Sequence, residues 1–221
     1  MSGPLRVEAV GPVRVVHWDD GENRFQGESM AAWHVVLDEL EAVDGPLAVV
    51  AVGTGKFFSN GLDLDWISSA PDAPAFMGEV HRLLGRMLVF PAYTVAALNG
   101  HTFAAGAMLS SAFDHRIMRA DRGYWCLPEV DLGLPLTPGM TATVTARLPA
   151  PAAADAMLTG RRYDADAALG IGIVDAIAPE AEVLDRAIEA ATAMATKNRS
   201  VIAAHKHQLF GGASRLCLGT S

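Results

Sequence analysis

The sequence predicts an α/β fold built on a largely parallel sheet, and three observations carry that prediction. Strand-like and helix-like segments alternate along most of the chain. A short, wholly apolar run at 47–52 and a second buried run at 94–98 suit strands covered on both faces, the usual state of parallel strands. Turn-forming residues such as Asn99-Gly100 cluster just after these runs, where open α/β sheets place their functional loops.

In chain order, residues 7–17 read as strand, turn and strand about Gly11-Pro12. Residues 30–43 read as helix: Trp33, Val36, Leu37 and Leu40 share one face, while Asp38, Glu39 and Glu41 face outward. The strand at 47–52 leads into a loop over 53–64. A second helix, 75–89, lines up Phe76, Val80, Leu83, Leu84, Met87 and Leu88 and is closed by Pro91. A strand at 94–98, a small-residue helix at 104–113 and a strand at 115–120 follow. Residues 128–139 are rich in turn formers. Short helices at 141–148 and 152–158, a last strand at 173–177 and amphipathic helices at 180–196 and 200–210 complete the reading. Gly211-Gly212-Ala213-Ser214 opens an irregular tail. The one candidate boundary lies near Pro179, dividing a core, 1–178, from a helical region, 179–221.

Composition excludes several function classes. Apolar residues make up 51% of 221 and charged ones 19%, enough for a sizeable core. Seventeen Lys and Arg stand against 25 Asp and Glu, a net charge of −8, and no basic stripe suits nucleic acid. Two cysteines, Cys126 and Cys217, make no disulfide framework, and no Cys/His cluster points to a metal. Residues 1–11 lack the pattern of a signal peptide, so a cytoplasmic location is expected. Residues 87–113 carry no Asp, Glu, Lys or Arg and are long enough to span a bilayer. Pro91, Asn99-Gly100, His101, Ser110 and Ser111 favour two buried elements joined by a turn, so no membrane is expected as partner.

Three segments carry chemistry. The first is the loop Lys56-Phe57-Phe58-Ser59-Asn60-Gly61-Leu62-Asp63-Leu64, after a buried strand. The second begins at Asn99-Gly100 and continues through His101, Thr102 and Phe103 to Ala104-Ala105-Gly106-Ala107-Met108. Small residues at a helix start let a ligand approach free backbone N–H groups, where the helix dipole favours negative charge. The third is Pro128-Glu129-Val130-Asp131-Leu132-Gly133, with carboxylates among apolar residues. A carboxyl in an apolar pocket has a raised pKa and serves as a general base or acid.

In this order the three segments resemble those of the crotonase superfamily, the enoyl-CoA hydratase/isomerase family. Phe113-Asp114-His115-Arg116-Ile117 and Gly170-Ile171-Gly172-Ile173-Val174-Asp175 extend the resemblance, which covers roughly 7–210. It implies a crotonase-like spiral of repeated β-β-α units, with a C-terminal helical region that makes a homotrimer or dimer of trimers. It also implies an acyl-CoA or enoyl-CoA thioester as substrate, with no further cofactor. The backbone N–H groups of Leu62 and Ala105 would hold the thioester oxygen as it becomes an enolate. Ala105 replaces the usual Gly, keeping the N–H but narrowing the approach.

The family's hydratases use two glutamates. Glu129 matches the second; the first position is Met108, which handles no proton. One base suits a Δ3,Δ2-enoyl-CoA isomerase, with catalytic Glu129, Leu62 and Ala105. Substrate-binding residues would be Ser59, Asn60, Gly61, Asp63, Phe103, Ala104, Gly106 and Met108, with Lys56 and Lys206 for the CoA phosphates. Trp125 and Leu127, with Met108 and Phe103, would form an apolar shell. Asp131 is the next base after Glu129. The alternatives are another acyl-CoA reaction, such as hydration or thioester hydrolysis, and a non-catalytic acyl-CoA-binding protein on the same fold.

Overall fold

The structure is a computed structural model and describes residues 3–219; Met1, Ser2, Thr220 and Ser221, at the ends of the two expected regions, lie outside them. Its main sheet runs β1 (Leu5–Val10), β2 (Val13–Trp18), β4 (Ala48–Gly53), β7 (Tyr93–Leu98), β9 (His115–Arg119) and β11 (Ala176–Ala178). Only β1 pairs antiparallel, through the hairpin to β2; every other neighbour is parallel. A small parallel sheet holds β10 (Trp125–Cys126), β8 (His101–Phe103) and β5 (Phe57–Ser59). The last pair is β3 (Arg24–Phe25) with β6 (Gly61–Leu62).

The chain advances as a spiral. In three successive turns, β4 then β5, β7 then β8, and β9 then β10, one strand joins the main sheet and the next joins the small one. Helices close the turns: α1 (Gly27–Glu41) ahead of them, then α2 (Leu64–Ser69) and α3 (Ala73–Leu88), α4 (Ala105–Ala112), and α5 (Glu129–Leu132) with α6 (Pro138–Arg147). The chain finishes through α7 (Ala150–Thr159), α8 (Ala165–Gly170), α9 (Val183–Ala195) and α10 (Arg199–Leu218).

The apolar runs explain the layers. Both faces of β4 and β7 are covered, so their side chains divide between two cores. Val50, Val52, Val95 and Ala97 pack with Ala187, Ala191 and Ala195 of α9. Val49, Ala51, Ala96 and Leu98 belong to the larger core with α1, α3, α4 and α6.

The structure departs from the sequence reading in four places. The loop over 53–64 contains β5 and β6. The strand expected at 173–177 lies at Ala176–Ala178; Ile173 and Val174 are instead buried loop residues, and Arg116 Nε donates to the Ile173 carbonyl at 2.7 Å. The turn-rich stretch after Leu127 contains the one-turn α5. Most clearly, helix does not stop at Phe210 but runs through Gly211-Gly212 to Leu218. Packing overrides the low helix propensity of glycine there. Gly85 of α3 and Gly139 of α6 let α10 come close: a Cβ on Gly139 would lie 2.9 Å from Cys217 Cα. The charge-free stretch resolves into the end of α3, β7, β8 and α4, and no described helix is long and apolar enough to cross a membrane.

Candidate active site

The first loop is built around Asn23, a residue the sequence reading passed over. Asn23 sits at φ +52° and its Nδ2 donates to the carbonyls of Phe57 and Phe58 at 3.1 and 3.2 Å. Its own carbonyl accepts from Ser59 Oγ at 2.7 Å, and Ser59 Oγ accepts from Gly61 N at 3.2 Å. The Asp63 N–H goes to the Phe25 carbonyl. Alternate N–H groups of a strand point to opposite sides, which turns that of Leu62 away from β3. An Asn beside Gly21 was the available signal, since Asn tolerates left-handed backbone in turns.

The second loop meets the first in direct contact. Gly106 lies against Ser59, where an added Cβ would come within 2.8 Å of the Ser59 carbonyl oxygen. Gly61, at φ +78°, lies against the start of α4: an added Cβ would sit 2.7 Å from Ala104 Cβ and 3.1 Å from Ala105 N. Ala104, the residue before α4, holds φ 52° and ψ −125°, a conformation L-residues rarely adopt. Such backbone costs on the order of 1–3 kcal/mol and persists only where surroundings enforce it. Here the Ala104 N–H is fixed to the Cys126 carbonyl at 3.0 Å, joining the second loop to the third. Ala105 is the first helical residue, so its N–H has no acceptor within the helix.

The three loops enclose a cavity of about 620 Å³. Leu62, Phe103, Ala104, Ala105, Met108 and Glu129 line it, with Leu64, Ile67, Met77, Leu132, Leu134, Leu136 and Met140 making most of the wall apolar. Glu129 opens α5, and its Oε2 is buried with no hydrogen-bond partner. Burial pushes its carboxyl above the ordinary glutamate range, with its own backbone N–H opposing the shift. A carboxyl beside a cavity with one oxygen buried and free of partners is equipped to accept a proton from a bound molecule.

Asn60 also lines the cavity, but Ser59, Gly61, Asp63 and Gly106 do not. Ser59, Gly61 and Gly106 shape the loops from behind, and Asp63 caps α2 by accepting from Trp66 N at 3.0 Å. Met108 stands in the wall with no carboxylate in its place. Trp125 and Leu127 are core residues rather than cavity lining; Trp125 Nε1 donates to Ser110 Oγ at 3.0 Å. Asp131 is exposed and off the cavity, so it does not share the environment of Glu129.

Neither lysine lines the cavity. Lys56 is exposed and off the cavity. Lys206 is buried, with Nζ 2.5 Å from Asp114 Oδ2 and donating to the Ala92 carbonyl at 2.8 Å. Its charge is used within the fold, tying α10 to the main sheet. The cation that does line the cavity is Arg24, paired with Glu22 at 2.7 Å; Glu22 also accepts from Asn60 Nδ2 at 2.8 Å. Cys126, buried with its thiol pushed up to about 11, is no nucleophile at neutral pH.

A spiral α/β fold with two interlocked backbone loops and a half-buried carboxyl beside a largely apolar cavity defines a class of protein able to hold a largely apolar molecule next to a titratable group. The chain belongs to the enoyl-CoA hydratase/isomerase family, whose model matches residues 13–216. It is 34% identical to the peroxisomal enoyl-CoA delta isomerase 2 of Arabidopsis thaliana, over 74% of this chain and 72% of that one. It is 36% identical to a putative enoyl-CoA hydratase of Thermus thermophilus, over 80% of this chain and 72% of that one. Among solved structures it resembles the apo enoyl-CoA isomerase of Mycobacterium tuberculosis, with 28% identity and a TM-score of 0.91, covering 99% of this chain and 96% of that one. Relatives of both names at similar identity make the chain a crotonase-family acyl-CoA enzyme without dividing isomerase from hydratase.

Proposed function

We propose that this protein is a Δ3,Δ2-enoyl-CoA isomerase. The observation that carries the reading is the half-buried Glu129, its Oε2 buried without a hydrogen-bond partner, beside a cavity where Met108 stands at the position that matches a hydratase's first glutamate. Glu129 takes a proton from C2 of a 3-enoyl thioester. The C2–H electron pair forms a C1–C2 double bond and the carbonyl pair moves onto the thioester oxygen, giving a dienolate conjugated with the C3–C4 double bond. The N–H groups of Leu62 and Ala105 hold that oxygen. Glu129 then returns the proton at C4, leaving the 2-enoyl thioester. Fixed donors aimed at developing charge are worth about 2.7–4 kcal/mol each in acyl chemistry.

The largely apolar wall supports proton return over water addition: Met108 supplies no carboxylate, and the second acidic residue of the lining, Asp65, is an exposed residue of α2. Arg24 and Asn60 supply a cation and an amide toward the CoA portion, a role proposed here in place of Lys56 and Lys206. The experiment is incubation with 3-enoyl-CoA and with 2-enoyl-CoA in heavy water, followed by mass and position analysis. Isomerisation much faster than hydration is expected; hydration as fast as isomerisation would refute the reading. Exchange at C2 with no double-bond shift would also refute it.

A further inference from the structure

The cavity wall carries a second polar feature that the isomerase mechanism leaves unused. Thr137, just before α6, lines the cavity between apolar neighbours Leu136 and Met140, and Met77 of α3 lies on the same wall. His81 of α3 stands behind it, with Nε2 2.7 Å from Thr137 Oγ1. Burial holds the His81 imidazole below its ordinary pKa. The Thr137 hydroxyl also accepts from Met140 N at 3.3 Å.

A threonine hydroxyl has one donor and two acceptor positions. Met140 N occupies one acceptor. A neutral imidazole occupies one more position, as donor or acceptor according to its tautomer. One position is left in either case, and Thr137 belongs to the cavity wall. If His81 accepts, the free position is a lone pair suited to a ligand hydroxyl. If His81 donates, it is an O–H suited to a ligand carbonyl. An alkyl tail satisfies neither, and it would cover this half-exposed hydroxyl without replacing the water that otherwise meets its free position.

We infer that the acyl substrate carries an oxygen substituent on its tail, a hydroxyl or a carbonyl, which Thr137 recognises with His81 holding it in place. Thr137 is a specificity-determining residue and His81 a positioning residue. The inference rests on the acyl-thioester reading of the cavity but not on the isomerisation step.

Equilibrium binding separates the two. Saturated acyl-CoA thioesters of equal tail length are titrated calorimetrically into the wild-type protein: one unsubstituted, one with a tail hydroxyl and one with a tail oxo group, the substituent moved along the tail beyond C4. At the fitting position, one oxygenated thioester binds roughly tenfold tighter than the plain one, the scale of one well-made hydrogen bond. Which of the two gains identifies the free position on Thr137. Read as the ratio of oxygenated to plain binding within each variant, Thr137→Val abolishes the preference and Thr137→Ser keeps it. His81→Phe lowers the same ratio, since Thr137 then loses the partner that holds it. Equal binding of all three tails at every position overturns this inference and leaves the isomerase proposal standing. A preference that survives in Thr137→Val also overturns it. Failure of every thioester to bind overturns both.

Discussion

Replacing Gly61 by alanine tests whether the two backbone loops are one mechanical unit. Gly61 sits at φ +78°, and an alanine methyl there would meet Ala104 Cβ at 2.7 Å, the Phe103 carbonyl oxygen at 2.9 Å and Ala105 N at 3.1 Å. The left-handed backbone alone costs an L-residue about 1–2 kcal/mol. Forcing a methyl into occupied space adds about 1–3 kcal/mol, because backbone atoms cannot swing aside as a side-chain end would. The expected loss is about 2–5 kcal/mol, or roughly 4–20 °C in Tm for a chain of this size. Gly55→Ala is the internal control. It lies in the same loop at φ +65° with open space around it, so it carries the backbone cost alone. Urea unfolding of both variants, with turnover of 3-enoyl-CoA measured beside it, separates conformation from contact. Gly61→Ala is expected to lose more stability than Gly55→Ala and to lose turnover, while Gly55→Ala keeps it. Equal destabilisation with normal turnover in both would show that the loops do not bear on one another.

Glu129→Gln is expected to lower turnover by roughly 10²–10⁴-fold, the range for a general base, with thioester affinity similar by calorimetry. Because burial raises the Glu129 pKa, the acid limb of kcat/KM against pH is expected above the ordinary glutamate value of 4.5; a limb at or below 4.5 would assign the base elsewhere. The sign for stability follows. A carboxyl with a raised folded-state pKa favours the fold only below that pKa, so Glu129→Gln is expected to stabilise the protein at neutral pH and to have no such effect at pH 4. Ala105→Pro removes one N–H at the first helical position, where proline is well tolerated, so circular dichroism is expected to stay native while turnover is lost; Ala105→Gly keeps both. Lys206→Met leaves Asp114 buried without its nearest cation and is expected to destabilise by about 3–5 kcal/mol, with KM for CoA thioesters unchanged in whatever protein remains folded.

The strands of the main sheet were legible because burial on both faces leaves an apolar signature, as in Ala48–Gly53. Glu129, Leu62 and Ala105 were legible only by register with a family, since nothing local tells a buried Glu from an exposed one two residues away at Asp131. Lys206 shows the limit most sharply. Its partner Asp114 and acceptor Ala92 lie far off in sequence, and a lone lysine on a helix reads as solvated until the fold brings them together. The helix through Gly211-Gly212 was hidden for a related reason: its stabilisation comes from Gly85 and Gly139 across the interface, not from its own residues. Arg24 and Asn23 were missed because the segment before α1 was read only for the helix that follows it.

The small sheet that carries the loops has a consequence for how the molecule comes into being. Its strands are two or three residues long, mutually parallel, and drawn from three successive turns of the chain, and its edge is closed by a bridge between Trp125 and Tyr163. No hairpin in it can form early and template the rest, and every contact requires a large loop of chain to be closed first. A polypeptide growing from its N-terminus can assemble β1 with β2, and then β4 and β7, long before β10 exists. The contact between the loops that line the cavity is therefore among the last features to form. A ribosome-bound fragment ending before Tyr163 would hold β1, β2, β4, β7 and β9 of the main sheet, yet would lack the Trp125–Tyr163 bridge that closes the edge of the small one. Reactivity is in this sense scheduled by topology: binding competence arrives only once synthesis has passed the third turn.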